Sequence, residues 1–572
     1  MHTRLAIALM AMTFGCSHSP QNSGGKTEFV IASTTDFHAA LGKAEGLAKT
    51  IQDLRKQHQE RFVYFDSGDL FQGSLEGNLA KGRAVVSLYN ILKPDAAAVG
   101  NHEFDFGPDV PNRVFPKDGE DPAGNILARA SEAQYPWISA NAVYKTEQGK
   151  AQLCAKPRSC PQARMNALGQ RTLFRPRMVF KRNGLTLCAI GATTPQANHI
   201  VLPTLLKRVK FEPLRDVVLK EAEKLRKNNR CDFVALVTHA GLVCDRSSGN
   251  CQTEGHQAEI LKLLRELPQG TLDIVFAGHT HVRAFENIAG TPVVQSGHSA
   301  EVVGLTKLSF DANRRRWNAE FHEFISVPEK ADVPEVSQVL KPFRDTAAQA
   351  KARIVGTSSA GFERNYLSEN PLGNLIADAL LAAAKETTNA DFSLVNAGGI
   401  RADLPEGELN FGHVFSVAPF SNSLVVVELK GRELRQLLEI SLSGAHGISP
   451  FSGLLITRLD VPTNLAGPWD RDLNKDGKKE VWERNLIVDL KDTAGRRIQD
   501  GQTYRLATID YLSHGGDHQL HVYSKVKSSR KTVFEGVWLR DLIVDYLRKH
   551  STIRPENYFS EQQRRIALKP IQ

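Results

Sequence analysis

The sequence predicts an α/β protein of two domains: a larger N-terminal layered domain with a buried sheet and a smaller α+β domain that follows it. Three observations carry this. Short β-branched apolar runs stop abruptly at polar clusters, helical stretches lie between those runs, and 572 residues exceed what one ordinary core holds. A hydrophobic content of 41% and a charged content of 24% are globular values. Lys and Arg total 72 against 63 for Asp and Glu, a net charge of +9 that favours anionic ligands or surfaces. No long basic run accompanies it, so a duplex nucleic-acid partner is not expected; a monomer is.

Residues 1–4 form a short positive region, and residues 5–14 an apolar run too short to span a bilayer as a mature helix. Residues 1–16 therefore read as a signal peptide and residues 17–26 as a polar tether. Gly15-Cys16-Ser17 resembles the cleavage site of bacterial lipoproteins, which makes Cys16 a lipidation candidate and the chain exported, periplasmic or at the cell surface, and held to a membrane by a lipid. Thr13 stands where such sites usually carry Leu, and simple secretion is the alternative. Six further cysteines lie at 154, 160, 188, 231, 244 and 251, an even number suited to disulfides in an exported protein. Cys154 with Cys160 and Cys244 with Cys251 each close a short polar loop. Cys188 and Cys231 lie on apolar strand-like runs and either pair or stay buried and reduced.

The strand-like runs begin at Phe29, Phe62, Ala96, Phe233 and Ile274, with helical stretches such as 44–57 and 214–227 among them. Residues 27–330 thus make the first domain. Residues 331–353 pattern as a connecting helix. A second unit occupies 354–560, with helices at 373–385 and 433–443 and strands at 392–395 and 424–429.

Five polar motifs follow the apolar runs in order: Asp36-Phe-His38, Gly68-Asp69, Gly100-Asn101-His102-Glu-Phe-Asp105, Thr238-His239-Ala-Gly and Gly278-His279-Thr-His281. Each alone is an ordinary polar loop. Together they put carboxylates and imidazoles at successive strand ends, the ligand set that two-metal phosphoryl chemistry requires. Neither a Walker-type loop nor a serine-nucleophile elbow is present.

With Asp66-Ser-Gly-Asp69-Leu-Phe-Gln-Gly73 and Tyr135-Pro-Trp-Ile-Ser-Ala-Asn141, these motifs make residues 27–560 resemble the calcineurin-like metallophosphoesterase superfamily, and within it the secreted 5′-nucleotidase family that includes bacterial UDP-sugar hydrolases. The resemblance implies a four-layer sandwich joined by a helix to a nucleotide-recognition domain. It implies two divalent transition metals, zinc, manganese or similar. Asp36, His38, Asp69 and His281 would hold one and Asp69, Asn101, His239 and His279 the other, with Asp69 as bridge. His102 and Asp105 would be the catalytic pair, in a direct in-line hydrolysis without a covalent phosphoenzyme. In the second domain, Asn396-Ala-Gly-Gly-Ile-Arg401, Pro419-Phe420-Ser-Asn422 and Asp510-Tyr511-Leu-Ser-His-Gly-Gly-Asp517 match the family's signatures, with Ala397 where relatives usually carry Gly. The resemblance implies that Arg401 binds phosphate, with Arg364 as a second arginine. Phe420 and Tyr511 would stack on the base and Asp517 would bind ribose hydroxyls.

One feature lies outside the resemblance. Asp472, Asn474, Asp476, Lys478 and Glu483 satisfy a calcium-loop pattern with Gly477 at the sharp turn, so structural calcium is expected here, against a solvated hairpin loop. The resemblance implies hydrolysis of nucleotide phosphate esters, foremost of nucleoside 5′-monophosphates, with cleavage of nucleotide sugars as an extension. The alternatives are a 2′,3′-cyclic phosphodiesterase/3′-nucleotidase and, in another class, a catalytically silent nucleotide-binding surface protein.

Overall fold

A computed structural model describes residues 28–110, 116–145, 164–202, 204–242, 259–311, 316–420 and 422–571. The N-terminal half is built on two six-stranded sheets. Their strands, in chain order, are β1 (Glu28–Thr34), β2 (Phe62–Asp66), β3 (Ala96–Ala98), β4 (Trp137–Ile138), β5 (Arg177–Arg182), β6 (Leu185–Thr193), β7 (Phe233–His239), β8 (Ile274–Ala277), β9 (Arg283–Ile288), β10 (Thr291–Ser296), β11 (Val302–Asp311) and β12 (Arg316–Ser326). The first sheet runs β12-β11-β1-β2-β3-β4 and the second β9-β10-β8-β7-β6-β5.

The apolar runs are continuous rather than alternating because both faces of these central strands are covered. Phe29, Ile31, Val63 and Phe65 of the first sheet pack on Ala189, Phe233, Ala235 and Phe276 of the second, forming the layer between the sheets. The opposite face of the first sheet, through Ala32 and Tyr64, packs on the helices Ala44–His58 and Arg83–Leu92. The outer face of the second, through Ile190, Val234 and Leu236, packs on Leu214–Asn228 and Glu259–Glu266. The result is the four-layer α/β/β/α sandwich expected.

Register explains where the polar motifs meet. β1, β2 and β3 are parallel, with Thr34 opposite Asp66 and Asp66 opposite Ala97, so their C-terminal ends lie level. β7 and β8 are parallel as well, with Val237 opposite Phe276. The segments after these strands therefore emerge side by side on one edge of the sandwich, the usual place for ligands in such sheets. Cys188 on β6 and Cys231 just before β7 are joined by a disulfide, which settles the alternative left open by the sequence. Cys16, Cys154, Cys160, Cys244 and Cys251 lie outside the described residues.

A helix spanning Pro334–Lys351 connects the halves, and Arg344 anchors it to the sandwich through two hydrogen bonds to the Glu45 carboxylate, at 2.6 and 2.8 Å. The C-terminal half centres on a five-stranded sheet in which Phe392–Leu394, Thr503–Ile509 and Ser423–Lys430 are adjacent. Pro371–Thr388, Gly431–Ser441 and Leu539–Lys549 contribute the helical side of its core. Two three-stranded sheets flank it. This is the smaller α+β unit that the sequence indicates.

Candidate dimetal centre and ligand cavity

The five motifs converge. Side-chain donor atoms of Asp36, His38 and His281 lie within 4.8 Å of one another, as do those of Asp69, His239 and His279, and those of His38, Asp69 and His102. The backbone is contorted to achieve this: Asp36, His38, Asp69, His279 and His281 all have positive φ, between 49° and 80°. Non-glycine residues rarely adopt such angles, and a cluster of them is the usual mark of a functional site. Gly100 is required for a related reason, since a Cβ there would stand 2.0 Å from Asp69 Oδ1.

The main chain around the centre orients each group. Asp36 is fully buried and accepts from Thr35 Oγ1 at 2.6 Å and from the His279 N–H at 3.0 and 3.1 Å. Asp69 Oδ1 accepts from the His102 N–H at 2.9 Å. His38 Nδ1 lies 3.0 Å from the Gln72 carbonyl and His239 Nδ1 2.9 Å from the Ser67 carbonyl. Each ring thus donates through Nδ1, and its Nε2 lone pair is left for the centre, as in metal sites where a main-chain carbonyl fixes the tautomer.

The donor set fits two divalent cations. Asn101 Oδ1 is buried without a hydrogen-bond partner, and Nε2 of His239 stands 3.0 Å from Asp69 Oδ2, so both donors face the same point. His38 Nε2 and His281 Nε2 face each other at 3.0 Å, an arrangement natural for two lone pairs directed at a common ion. Burial lowers the pKa of both His38 and His279 to about 4, which keeps them neutral and able to ligate. Burial pushes Asp69 up, yet His239, His102 and His38 outweigh it and hold this carboxyl well below its usual range.

His102 stands beside the centre with Nδ1 2.6 Å from Asp105 Oδ2. Burial disfavours its charged form, but the Asp105 and Asp69 carboxylates prevail and raise its pKa to about 10. Glu103, which the sequence motif contains but does not single out, is 1% exposed and accepts from the N–H groups of Asp69, Leu70, Phe71 and Gly100. It ties the Asp69 loop to the Asn101 loop. A glutamate doing this has no spacing signature, because its partners are backbone groups.

A cavity of about 330 Å³ opens at the centre, walled by Asn101, His102, Asp105 and His279 on one side and by Phe420, Tyr511 and Asp517 on the other. The two halves of the chain therefore share it. The Phe420 ring lies 6.5 Å from that of His102 in a stacked orientation. Tyr511 donates its hydroxyl to Asp517 Oδ1 at 2.9 Å, while Asp517 Oδ2 is buried with no partner and is free to accept from a ligand. Gly516 allows this packing, since a Cβ there would meet the Tyr511 ring at 2.5 Å. Arg401 places its guanidinium 5.9 Å from the Phe420 ring centre, and Arg364 Nη1 donates to the Arg401 carbonyl at 3.3 Å. Gln72, Ile200, Leu202, Asn396 and Asn422 also line the cavity, none of them assigned a role by the sequence.

The calcium-type loop lies apart. Glu483 is buried and accepts from the N–H groups of Leu473, Asn474 and Glu480. Asp472 accepts from those of Asp476 and Gly477, and Asp476 from that of Lys478. Among the described residues, the groups of three or more acidic or imidazole side chains close enough to share an ion all lie at the strand ends.

The four-layer sandwich thus carries Asp, Asn and His at its strand ends and is joined to a second domain that closes a common cavity with it. Residues 29–283 match the calcineurin-like phosphoesterase family and residues 348–524 the 5′-nucleotidase C-terminal domain. The chain belongs to the calcineurin-like phosphoesterases that carry this 5′-nucleotidase C-terminal domain. It is 26% identical over 509 residues to the trifunctional nucleotide phosphoesterase protein YfkN of Bacillus subtilis, which covers 86% of this chain and 32% of that one. The chain thus spans about a third of YfkN's length, as it does of a second relative from that organism. A 5′-nucleotidase of Vibrio cholerae is 24% identical over 606 residues, covering 96% of both chains. The crystal structure of a 5′-nucleotidase precursor from Thermus thermophilus superposes with a TM-score of 0.68 at 22% identity, covering 95% of this chain and 99% of the other.

Proposed function

We propose that the chain is a metal-dependent phosphohydrolase of nucleotides, acting foremost on nucleoside 5′-monophosphates. The observation that carries this is the shared cavity, with the metal-type centre on one wall and two aromatic rings and an unpartnered carboxylate oxygen on the other. The reacting phosphoryl group would thereby meet the metal-type centre of the first domain, and the nucleoside the rings of the second.

Asp36, His38, Asp69 and His281 would hold one cation and Asp69, Asn101, His239 and His279 the other. Bound there, two divalent ions of the zinc or manganese type supply Lewis acidity to the phosphoryl oxygens and lower the pKa of water. The chain's own groups do the rest. His102, kept protonated by Asp105, donates to a phosphoryl oxygen or to the leaving oxygen as charge builds there. Arg401 and Arg364 attract the phosphate. Phe420 and Tyr511 take the base between them, and Asp517 Oδ2 accepts from ribose hydroxyls. Phosphate release from a panel of 5′-, 3′- and 2′,3′-cyclic nucleotides and nucleotide sugars, with zinc or manganese supplied, tests this; turnover confined to cyclic substrates assigns the alternative specificity, and binding without turnover the silent one.

Three finer assignments belong with this proposal. The domains extend over 27–330 and 354–560 around the connecting helix, and export follows from residues 1–16, with lipidation at Cys16; no helix of the described residues is long and apolar enough to cross a membrane. The loop of Asp472, Asn474, Asp476, Lys478 and Glu483 would take calcium: its acidic side chains already brace the loop backbone, and Lys478 stands at the pattern position that offers a main-chain carbonyl. Calcium then raises the melting temperature of the wild type but not of the double variant Asp472→Ala/Asp476→Ala. A rise that persists in the variant removes the assignment.

A further inference from the structure

We infer that Asn78 is a positioning residue that ties the metal-side loop of the first domain to the aromatic platform of the second. Asn78 lies in the short helix Leu75–Leu79, directly after the Gln72-Gly73 segment whose Gln72 carbonyl orients His38. Its Oδ1 accepts from the Gly73 N–H at 3.1 Å, and its Nδ2 donates to the Pro419 carbonyl at 3.4 Å, 341 residues along the chain. Pro419 immediately precedes Phe420. The same carbonyl accepts from Arg540 Nη1 at 3.3 Å.

Arg540 is set up to hold that carbonyl. It is 7% exposed, and its guanidinium lies 5.1 Å from the ring of Phe415 and 5.8 Å from those of Phe411 and Trp538. Such a cage confines the cation and leaves it few directions in which to donate. The Pro419 carbonyl is thus held from both domains at once. The surrounding contact is dry and ionic in turn: Leu75, Ala347 and Phe415 form a buried cluster joining this short helix, the connecting helix and the second domain, and Lys351 pairs with Glu76 at 2.7 Å. The hydrogen bonds run from the loop that orients His38, through Asn78, to the residue before Phe420. Asn78 therefore sets where the Phe420 ring stands relative to His102 without touching a ligand.

The inference rests on the nucleotide reading only for its kinetic arm. The variant Asn78→Asp keeps the acceptor for the Gly73 N–H and removes the donor to Pro419, so it isolates the link between domains. Two readouts are expected to move together in the metal-loaded full chain. Amide hydrogen exchange in the second-domain peptide 411–420 rises, and KM for a nucleoside monophosphate rises about fivefold, the equivalent of one hydrogen bond, at unchanged kcat. KM and kcat for p-nitrophenyl phosphate, which has no base, stay as in the wild type. Arg540→Lys reproduces the exchange and the nucleotide KM effects, and the double variant adds little because both act through one carbonyl. Unchanged exchange at 411–420 overturns the inference, as does an equal loss on both substrates, which marks a role confined to the metal loop. If the wild type cleaves only the baseless ester, the nucleotide reading fails while the exchange arm still decides whether Asn78 links the domains.

Discussion

Asp105 approaches His102 Nδ1 to 2.6 Å, and with Asp69 it reverses what burial alone does to that imidazole. The pKa of about 10 leaves His102 protonated at neutral pH; bound cations repel that proton and bring the value down, but the contribution of Asp105 persists. Asp105→Asn removes a negative charge, so the folded-state pKa of His102 falls and the proton is lost at lower pH. The alkaline limb of the kcat profile then moves to lower pH, and kcat falls on the order of 100-fold where the variant's His102 is neutral. An alkaline limb that stays in place means that it belongs to another group. His102 and Asp105 were legible because they sit in a short motif that follows a strand. Glu103, between them, was not: its importance comes from accepting four backbone N–H groups, a relation created only when the Asp69 and Asn101 loops meet. The positive φ angles were equally invisible, since Asp and His in a loop motif do not announce a left-handed backbone.

At the level of elements, the buried strands were the most readable part of the chain, because β1, β2, β7 and β8 are apolar on both faces and end at the motifs. The long helices Ala44–His58, Leu214–Asn228 and Pro334–Lys351 follow their periodicity closely. Pairing between elements was less readable. Cys188 and Cys231 occupy neighbouring apolar runs, and nothing in spacing distinguishes a disulfide from two buried thiols; the parallel register of β6 with β7, Cys188 opposite Val234, is what brings them to a Cα separation of 6.0 Å. With a sequence separation of 43, the bond restricts the unfolded chain substantially. Replacing both cysteines by alanine is expected to lower stability by about 4 kcal/mol on the chain-entropy model. Urea unfolding of the metal-free protein measures this, and a loss confined to the sandwich transition locates the effect in the first domain.

Across the whole molecule, neither half contains a complete site: the sandwich supplies the metal-type centre and His102, whereas the second domain supplies Phe420, Tyr511 and Asp517 across the same cavity. That arrangement separates two contributions that most enzymes merge. Chelation strips the cations and removes turnover of nucleotides and of p-nitrophenyl phosphate alike, because both need the strand-end residues to hold the reacting group. Phe420→Ala or Tyr511→Ala leaves that chemistry in place but deletes a stacking surface worth about 1–3 kcal/mol per base. KM for nucleoside monophosphates should rise on the order of tenfold in either variant, while kcat/KM for the baseless ester stays within about twofold of the wild type. The combined variant should lose more than either, since a base held on one face retains part of its stacking. Equal losses on both substrates would place these rings in the catalytic half instead, and the second domain would then serve to shield the centre rather than to choose what enters it.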